Sequence, residues 1–189
     1  MINLLSRLWR PSRVAHSGED SPEDVQSFIE SRSLEYPSKL EDEFVNHALN
    51  LGVESGMILD VGTRAGLIPL KILWQNENFY AIGLDRSTAM IERARETAEA
   101  WGLGERAIFQ VGDARNMRFK EAYFDLVISD STLHRFDDLP SVLQEIRRVL
   151  KPKGGLLIRD YRRPSRWEIA RNIRQQTVRH TSAMRPQLE

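Results

Sequence analysis

From residue 57 onward the chain alternates short apolar runs with longer amphipathic ones. The runs at 57–61, 79–84, 107–111, 124–129 and 156–159 are mostly continuous rather than alternating. That is the pattern of strands buried on both faces of a parallel sheet. Helical periodicity between them predicts helices near 67–75, 88–101 and 139–150. Ser87 stands as a cap for the second, and Lys151-Pro152-Lys153-Gly154 closes the third. Upstream, Ser21-Pro22-Glu23-Asp24 is a strong start for a helix running to about residue 33. Another helix is expected over about 38–51, with Phe44, Val45, Ala48 and Leu49 on its apolar side. A last one covers about 165–178, with Trp167, Ala170 and Ile173 on one face. Residues 1–13 set Ile2, Leu4, Leu5, Leu8 and Trp9 at near-helical spacing among arginines. Such a segment can lie on a membrane surface, but more often folds over its own domain as a lid. Strand–helix alternation predicts an α/β fold, doubly wound, with a mainly parallel sheet, helices on both faces and right-handed crossovers.

Composition narrows this picture. The chain has 189 residues, enough for one domain with a real core. Its 27 basic residues balance 27 acidic ones, so no global field draws it to nucleic acid or membrane. It has no cysteine, which excludes disulfide and thiol chemistry and suits a reducing cytoplasm. No secretory signal and no membrane span are expected, and a cytoplasmic location follows as the expectation. Charge is uneven along the chain. Residues 19–43 are acid-rich, whereas after Lys151 the only acids are Asp160, Glu168 and Glu189. A solvated basic face accounts for that; attraction of an anionic substrate or RNA is the functional alternative.

Candidate chemistry concentrates at 58–66, Ile-Leu-Asp-Val-Gly-Thr-Arg-Ala-Gly. A strand carrying Asp60 runs into a turn with Gly62 and Gly66, then into a helix. Glycines let backbone approach a ligand closely, and a helix start presents N–H groups. The spacing departs from the dinucleotide fingerprint, and an acid two residues before the first glycine repels pyrophosphate. It attracts a cationic amine instead, which favours a cofactor with an amino-acid end, such as S-adenosylmethionine. Acids recur at later strand ends: Asp85, Asp113 and Asp130. Open α/β sheets bind ligands there. Asp60 suits an ammonium group and Asp85 a pair of ribose hydroxyls. Asp113 suits the exocyclic amine of adenine, with the Ala114 N–H donating to a ring nitrogen.

These features resemble the class I S-adenosylmethionine-dependent methyltransferases, in their ubiquinone-biosynthesis-like small-molecule branch. The resemblance covers about residues 57–163. It is carried by Leu-Asp-Val-Gly-Thr-Arg-Ala-Gly-Leu-Ile-Pro-Leu (59–70), Gly-Leu-Asp-Arg-Ser (83–87), Gly-Asp-Ala (112–114), Phe-Asp-Leu-Val-Ile-Ser-Asp (124–130), Leu-His-Arg-Phe (133–136) and Glu-Ile-Arg-Arg-Val-Leu-Lys-Pro-Lys-Gly-Gly (145–155). It implies a Rossmann-like core at 53–163 that binds S-adenosyl-L-methionine, preceded by a helical lid at 1–52 and followed by a helix and basic tail at 164–189. It further implies that Asp60, Gly62, Thr63 and Gly66 hold the methionine part and Asp85 the ribose. Arg86 and Met90 would flank the adenine, and Asp113 and Ala114 would read its edge. Ser129 would lie near the methionine end and His134 near the reactive methyl.

Two departures stand out. Arg64 occupies a position where the family usually has glycine, and it is expected to point away from a sulfonium, towards solvent or an acid. Five strands are legible where the family usually has seven, so the C-terminal antiparallel hairpin is missing. The 156–159 strand is then an edge, which a homodimer would cover. The function implied is methyl transfer to a small-molecule acceptor, with His134 or Asp130 as base and no metal. A non-catalytic or truncated cofactor-binding protein and an RNA methyltransferase are the alternatives.

Overall fold

The computed structural model describes residues 35–161. Outside that range lie the N-terminal segment, the helices expected at 22–33 and 165–178, and the basic tail. In chain order the elements are α1 (Glu35–Leu49), β1 (Gly56–Val61), α2 (Leu67–Gln75), β2 (Phe79–Asp85), α3 (Thr88–Ala100), β3 (Ala107–Val111), β4 (Phe124–Asp130), a 3-10 turn (Leu133–Arg135), α4 (Leu139–Val149) and β5 (Leu150–Arg159).

Among the described residues the sheet has five strands in the order β3-β2-β1-β4-β5. Every pairing is parallel. The chain steps outward from β1 through β2 to β3, then returns to lay β4 against the other side of β1. The order therefore reverses between β1 and β4, and a crevice opens beyond their carboxyl ends.

Side-chain alternation along each strand builds two cores. Ile58, Ala81 and Leu126 join Phe44, Ile72 and Ile91 beneath α1, α2 and α3. Leu59, Ile82 and Val127 join Val142, Ile146 and Val149 beneath α4. Because both faces of the central strands β1 and β4 are covered, those strands need apolar residues at nearly every position. Each fully buried aliphatic side chain contributes about 1.5–3 kcal/mol.

Local signals start the helices. The Ser87 hydroxyl accepts the Met90 N–H at 3.2 Å, and the Asp138 carboxylate accepts that of Ser141 at 3.2 Å. The buried Ser87 cap is worth about 1 kcal/mol. The last strand is longer than its apolar run predicts, beginning at Leu150 rather than 156. Phe124 faces Leu150 and Leu126 already faces Gly155, so the Lys-Pro-Lys-Gly stretch is absorbed in a register shift. Lys153 takes a left-handed backbone there (φ 68°).

Candidate functional site

The turn after β1 is held from below. The N–H groups of Gly62 and Thr63 both donate to the Leu84 carbonyl, at 2.8 and 3.0 Å. The Arg64 N–H donates to Asp85 Oδ2 at 2.9 Å. Gly62, Arg64 and Gly66 all adopt left-handed backbone, with φ of 77°, 49° and 74°. Glycine tolerates this and arginine does so at a cost. The glycines also have a packing role. A Cβ on Gly62 would lie 2.0 Å from the Thr132 side chain, and one on Gly66 2.7 Å from the Phe109 ring. The contacts that require glycine are thus within the protein itself.

Asp60 lies at the floor of the crevice and is 3% exposed. Burial pushes its carboxyl up from 3.8 to about 7. The nearby charges of Asp130 and Asp85 push the same way. The Thr63 hydroxyl and the Arg64 charge oppose this, although Thr63 Oγ1 is buried without a well-formed hydrogen bond. The cavity here is about 20 Å³ and is lined by Glu41, Asp60, Thr63, Arg64 and Asp130, among others. That is room for about one water.

Asp130, expected as a base, is held by a guanidinium. Arg159 Nε and Nη2 reach its two carboxylate oxygens at 2.8 Å each. Asp130 holds Arg159 charged, raising it above its ordinary value. The same guanidinium donates to the Leu40 carbonyl of α1 and stands 4.9 Å over the Phe44 ring. Arg64 also reaches across the crevice. Its Nη2 donates to the Ser131 carbonyl at 2.8 Å, on the far side of the crevice.

At the end of β2, Asp85 accepts N–H groups from Arg64 and from Ser87, the latter at 3.0 Å. A carboxylate has about four lone-pair sites, so two remain for a ligand. Met90 is buried and packs against Ala65 of the turn. Arg86 is exposed. Beyond β3, Asp113 is clasped by Arg115, whose Nε lies 3.0 Å from both carboxylate oxygens. This hydrogen bonding holds Asp113 below the usual carboxylate range. Ala114 is buried in the α4-side core. Ser129 is fully buried, and its hydroxyl donates to the Val61 carbonyl at 2.8 Å, joining β4 to β1.

His134 sits in the 3-10 turn after β4. Its Nδ1 is 2.7 Å from Asp160 Oδ1, and its backbone N–H donates to Asp160 Oδ2 at 2.9 Å. The Tyr161 ring meets the imidazole edge-on with centroids 5.2 Å apart. Asp160 is the residue sequence reasoning missed. It follows β5 as the other acids follow their strands, so the strand-end rule extended to the fifth strand identifies it. Arg159 and Glu41 were missed as well. Glu41 is buried on α1, with Lys71 3.1 Å away. No local signal in the sequence turns it towards the crevice.

Among the described residues no group of three or more acids or histidines is placed to hold a metal ion, and no helix is long and apolar enough to cross a membrane.

Residues 54–186 match the model of a family described as a methyltransferase domain. The malonyl-[acyl-carrier protein] O-methyltransferase of Xylella fastidiosa (strain M23) is 31% identical over 147 residues, covering 78% of this chain and 45% of that protein. The demethylmenaquinone methyltransferase of Thermotoga maritima is 36% identical over 110 residues, covering 58% of this chain and 45% of that one. The solved mmp1179 protein of Methanococcus maripaludis superposes with a TM-score of 0.70 at 20% identity, covering 90% of this chain and 76% of that one, and shares the fold. The chain spans less than half the length of these two curated relatives.

Proposed function

The chain belongs to the methyltransferase domain family, and on that footing we propose that it transfers a methyl group from S-adenosyl-L-methionine to a small-molecule acceptor. The observation that carries this reading is the crevice itself. Acids end the strands on both sides of the point where strand order reverses, and the glycine turn between them is pinned to Asp85.

The residues fit the cofactor. Asp85 keeps lone pairs for two ribose hydroxyls, next to Met90 and Ala65 as an apolar wall. Arg86 is at hand for the adenine, and Asp113 and Ala114 for its edge once Arg115 shares the Asp113 carboxylate. Asp60, Gly62, Thr63 and Gly66 line the amino-acid end, where an ammonium would stabilise the ionised Asp60. Ser129 supports that end from within the sheet. When bound, the cofactor supplies an electrophilic methyl group with a neutral leaving group.

The protein's part is then to align the acceptor, exclude water and move one proton. His134 performs the last task in this reading. Its Nδ1–H donates to Asp160, which fixes the tautomer and leaves Nε2 to accept the acceptor's proton. Asp160 also holds the backbone of His134, so it sets the direction of the ring. Asp160 is a positioning residue. Asp130 has a structural part in this reading, its carboxylate anchoring Arg159.

The names of the relatives point to acceptors as different as a malonyl thioester carrier and a demethylmenaquinone. The reading therefore stops at the class of small molecules. Titration calorimetry with S-adenosylhomocysteine tests it: micromolar binding is expected, and no binding to folded protein at millimolar ligand would refute it.

A further inference from the structure

Asp113 follows β3 directly. Its neighbour Gly112 donates its N–H to the Asp85 carbonyl at 2.8 Å, so the ends of β2 and β3 lie side by side. The two acids there are held differently. Asp85 accepts backbone N–H groups from Arg64 and Ser87. Asp113 is wrapped by a single residue. The Arg115 backbone N–H reaches Oδ1 at 2.9 Å, closing an Asx turn that fixes the carboxylate. Arg115 Nε lies 3.0 Å from each oxygen, and Nη2 donates to Oδ2. These contacts match the roughly four lone-pair sites of a carboxylate. Asp137 and Asp138, in the loop before α4, also act on the Arg115 charge, and Arg86 acts on that of Asp113.

We infer, on the cofactor reading above, that Arg115 competes with the adenine amine for the Asp113 carboxylate and makes this site a weak reader of the purine 6-position. An exocyclic amine reaches Asp113 only by taking an oxygen that Arg115 already holds. The new hydrogen bond then replaces a charge-assisted one inside the protein, so little is gained by forming it. In the same reading the Ala114 N–H needs only a ring nitrogen, which purines with and without the amine share. Arg115 is therefore a specificity-determining residue, and it acts through Asp113. The cofactor is held by its ribose and its amino-acid end, and changes at the 6-position are tolerated.

Calorimetry on the full chain tests this with S-adenosylhomocysteine and its 6-deamino analogue, which keeps the ring nitrogens and lacks the amine. The readout is the ratio of the analogue's Kd to that of S-adenosylhomocysteine, in wild type, Arg115→Ala, Asp113→Ala and the double variant. In wild type the ratio should be below about fivefold, less than a free carboxylate would give an amine. In Arg115→Ala, whose side chain is exposed, it should rise about fivefold over wild type, the scale of an exposed ion pair. In Asp113→Ala and in the double variant it should stay at or below the wild-type value, because the gain passes through the carboxylate. A ratio in Arg115→Ala equal to that of wild type overturns the inference and leaves the cofactor reading intact, as does a larger ratio in wild type than expected. A rise that persists in the double variant overturns it too, since the amine's partner is then another group. Failure of folded wild type to bind S-adenosylhomocysteine overturns the cofactor reading, and this inference falls with it.

Discussion

Replacing Asp60 by asparagine gives the most direct test of the site's electrostatics, because the effect has a worked sign and size. Asp60 is fully buried, and its carboxyl is raised from 3.8 in the unfolded chain to about 7 in the folded one. Below pH 3.8 it is protonated in both states and makes no pH-dependent contribution. Between pH 3.8 and 7 the unfolded state has released the proton while the folded state retains it. The unfolded state binds fewer protons, so stability falls as pH rises through this window. Above pH 7 the loss is complete and constant. A shift of this size corresponds to about 4 kcal/mol, on the order of 1.36 kcal/mol for each pKa unit. Other acids slope the opposite way at lower pH, since Asp113 and Glu145 are held below their ordinary values by Arg115 and Arg148. The measurement is therefore a difference: urea unfolding of wild type and Asp60→Asn at intervals from pH 4 to pH 8. The wild-type value should fall relative to the variant by up to about 4 kcal/mol between pH 4 and 7, then level off. A flat difference curve would refute the reasoning, whatever the absolute stabilities. The same carboxyl should make S-adenosylhomocysteine binding tighten from pH 6 to pH 8 in wild type and not in the variant, because an ammonium ligand favours the ionised acid.

Three further substitutions test the remaining parts. Asp85→Ala should weaken S-adenosylhomocysteine binding by about 1.5–3 kcal/mol, the scale of hydrogen bonds to a charged group, with a native circular dichroism spectrum; unchanged affinity in calorimetry would remove the ribose assignment. Asp160→Asn should leave that affinity unchanged while lowering methyl transfer, measured over a panel of hydroxyl acceptors, by about 10²–10⁴-fold; full activity would show that His134 needs no carboxylate behind it. Arg159→Leu should cost about 3–5 kcal/mol in urea unfolding, because Asp130 is only 8% exposed and would be left as a buried, unpaired charge; a change below about 1 kcal/mol would mean that water replaces the guanidinium.

The sequence by itself determined the layers of this fold. Strands buried on both faces must be apolar nearly throughout, so β1 to β4 were legible within a residue at either end, and Ser87 marked the start of α3 by its own chemistry. It also determined that acids end the strands, because residue order along a strand is local information. Asp60, Asp85 and Asp130 were found by that rule, and Asp160 answers to it as well. The beginning of β5 was not legible, since its first residues are held by a register shift against β4 and not by an apolar run.

Tertiary structure decided what each of those acids does. Asp130 meets Arg159, 29 residues on, and pairs with its guanidinium. His134 meets Asp160, 26 residues on, and gains a partner for its Nδ1. Ser129 bonds Val61 across 68 residues and is taken into the sheet. Arg64 bonds Ser131 across 67 residues and straps the crevice. The physical reason is common to all four. Parallel strands need long crossovers, so residues far apart in the chain end up side by side across the sheet and at its carboxyl edge. There the strand order chooses the neighbours. An acid, a histidine or an arginine acquires its partner and direction from whichever strand the topology places beside it.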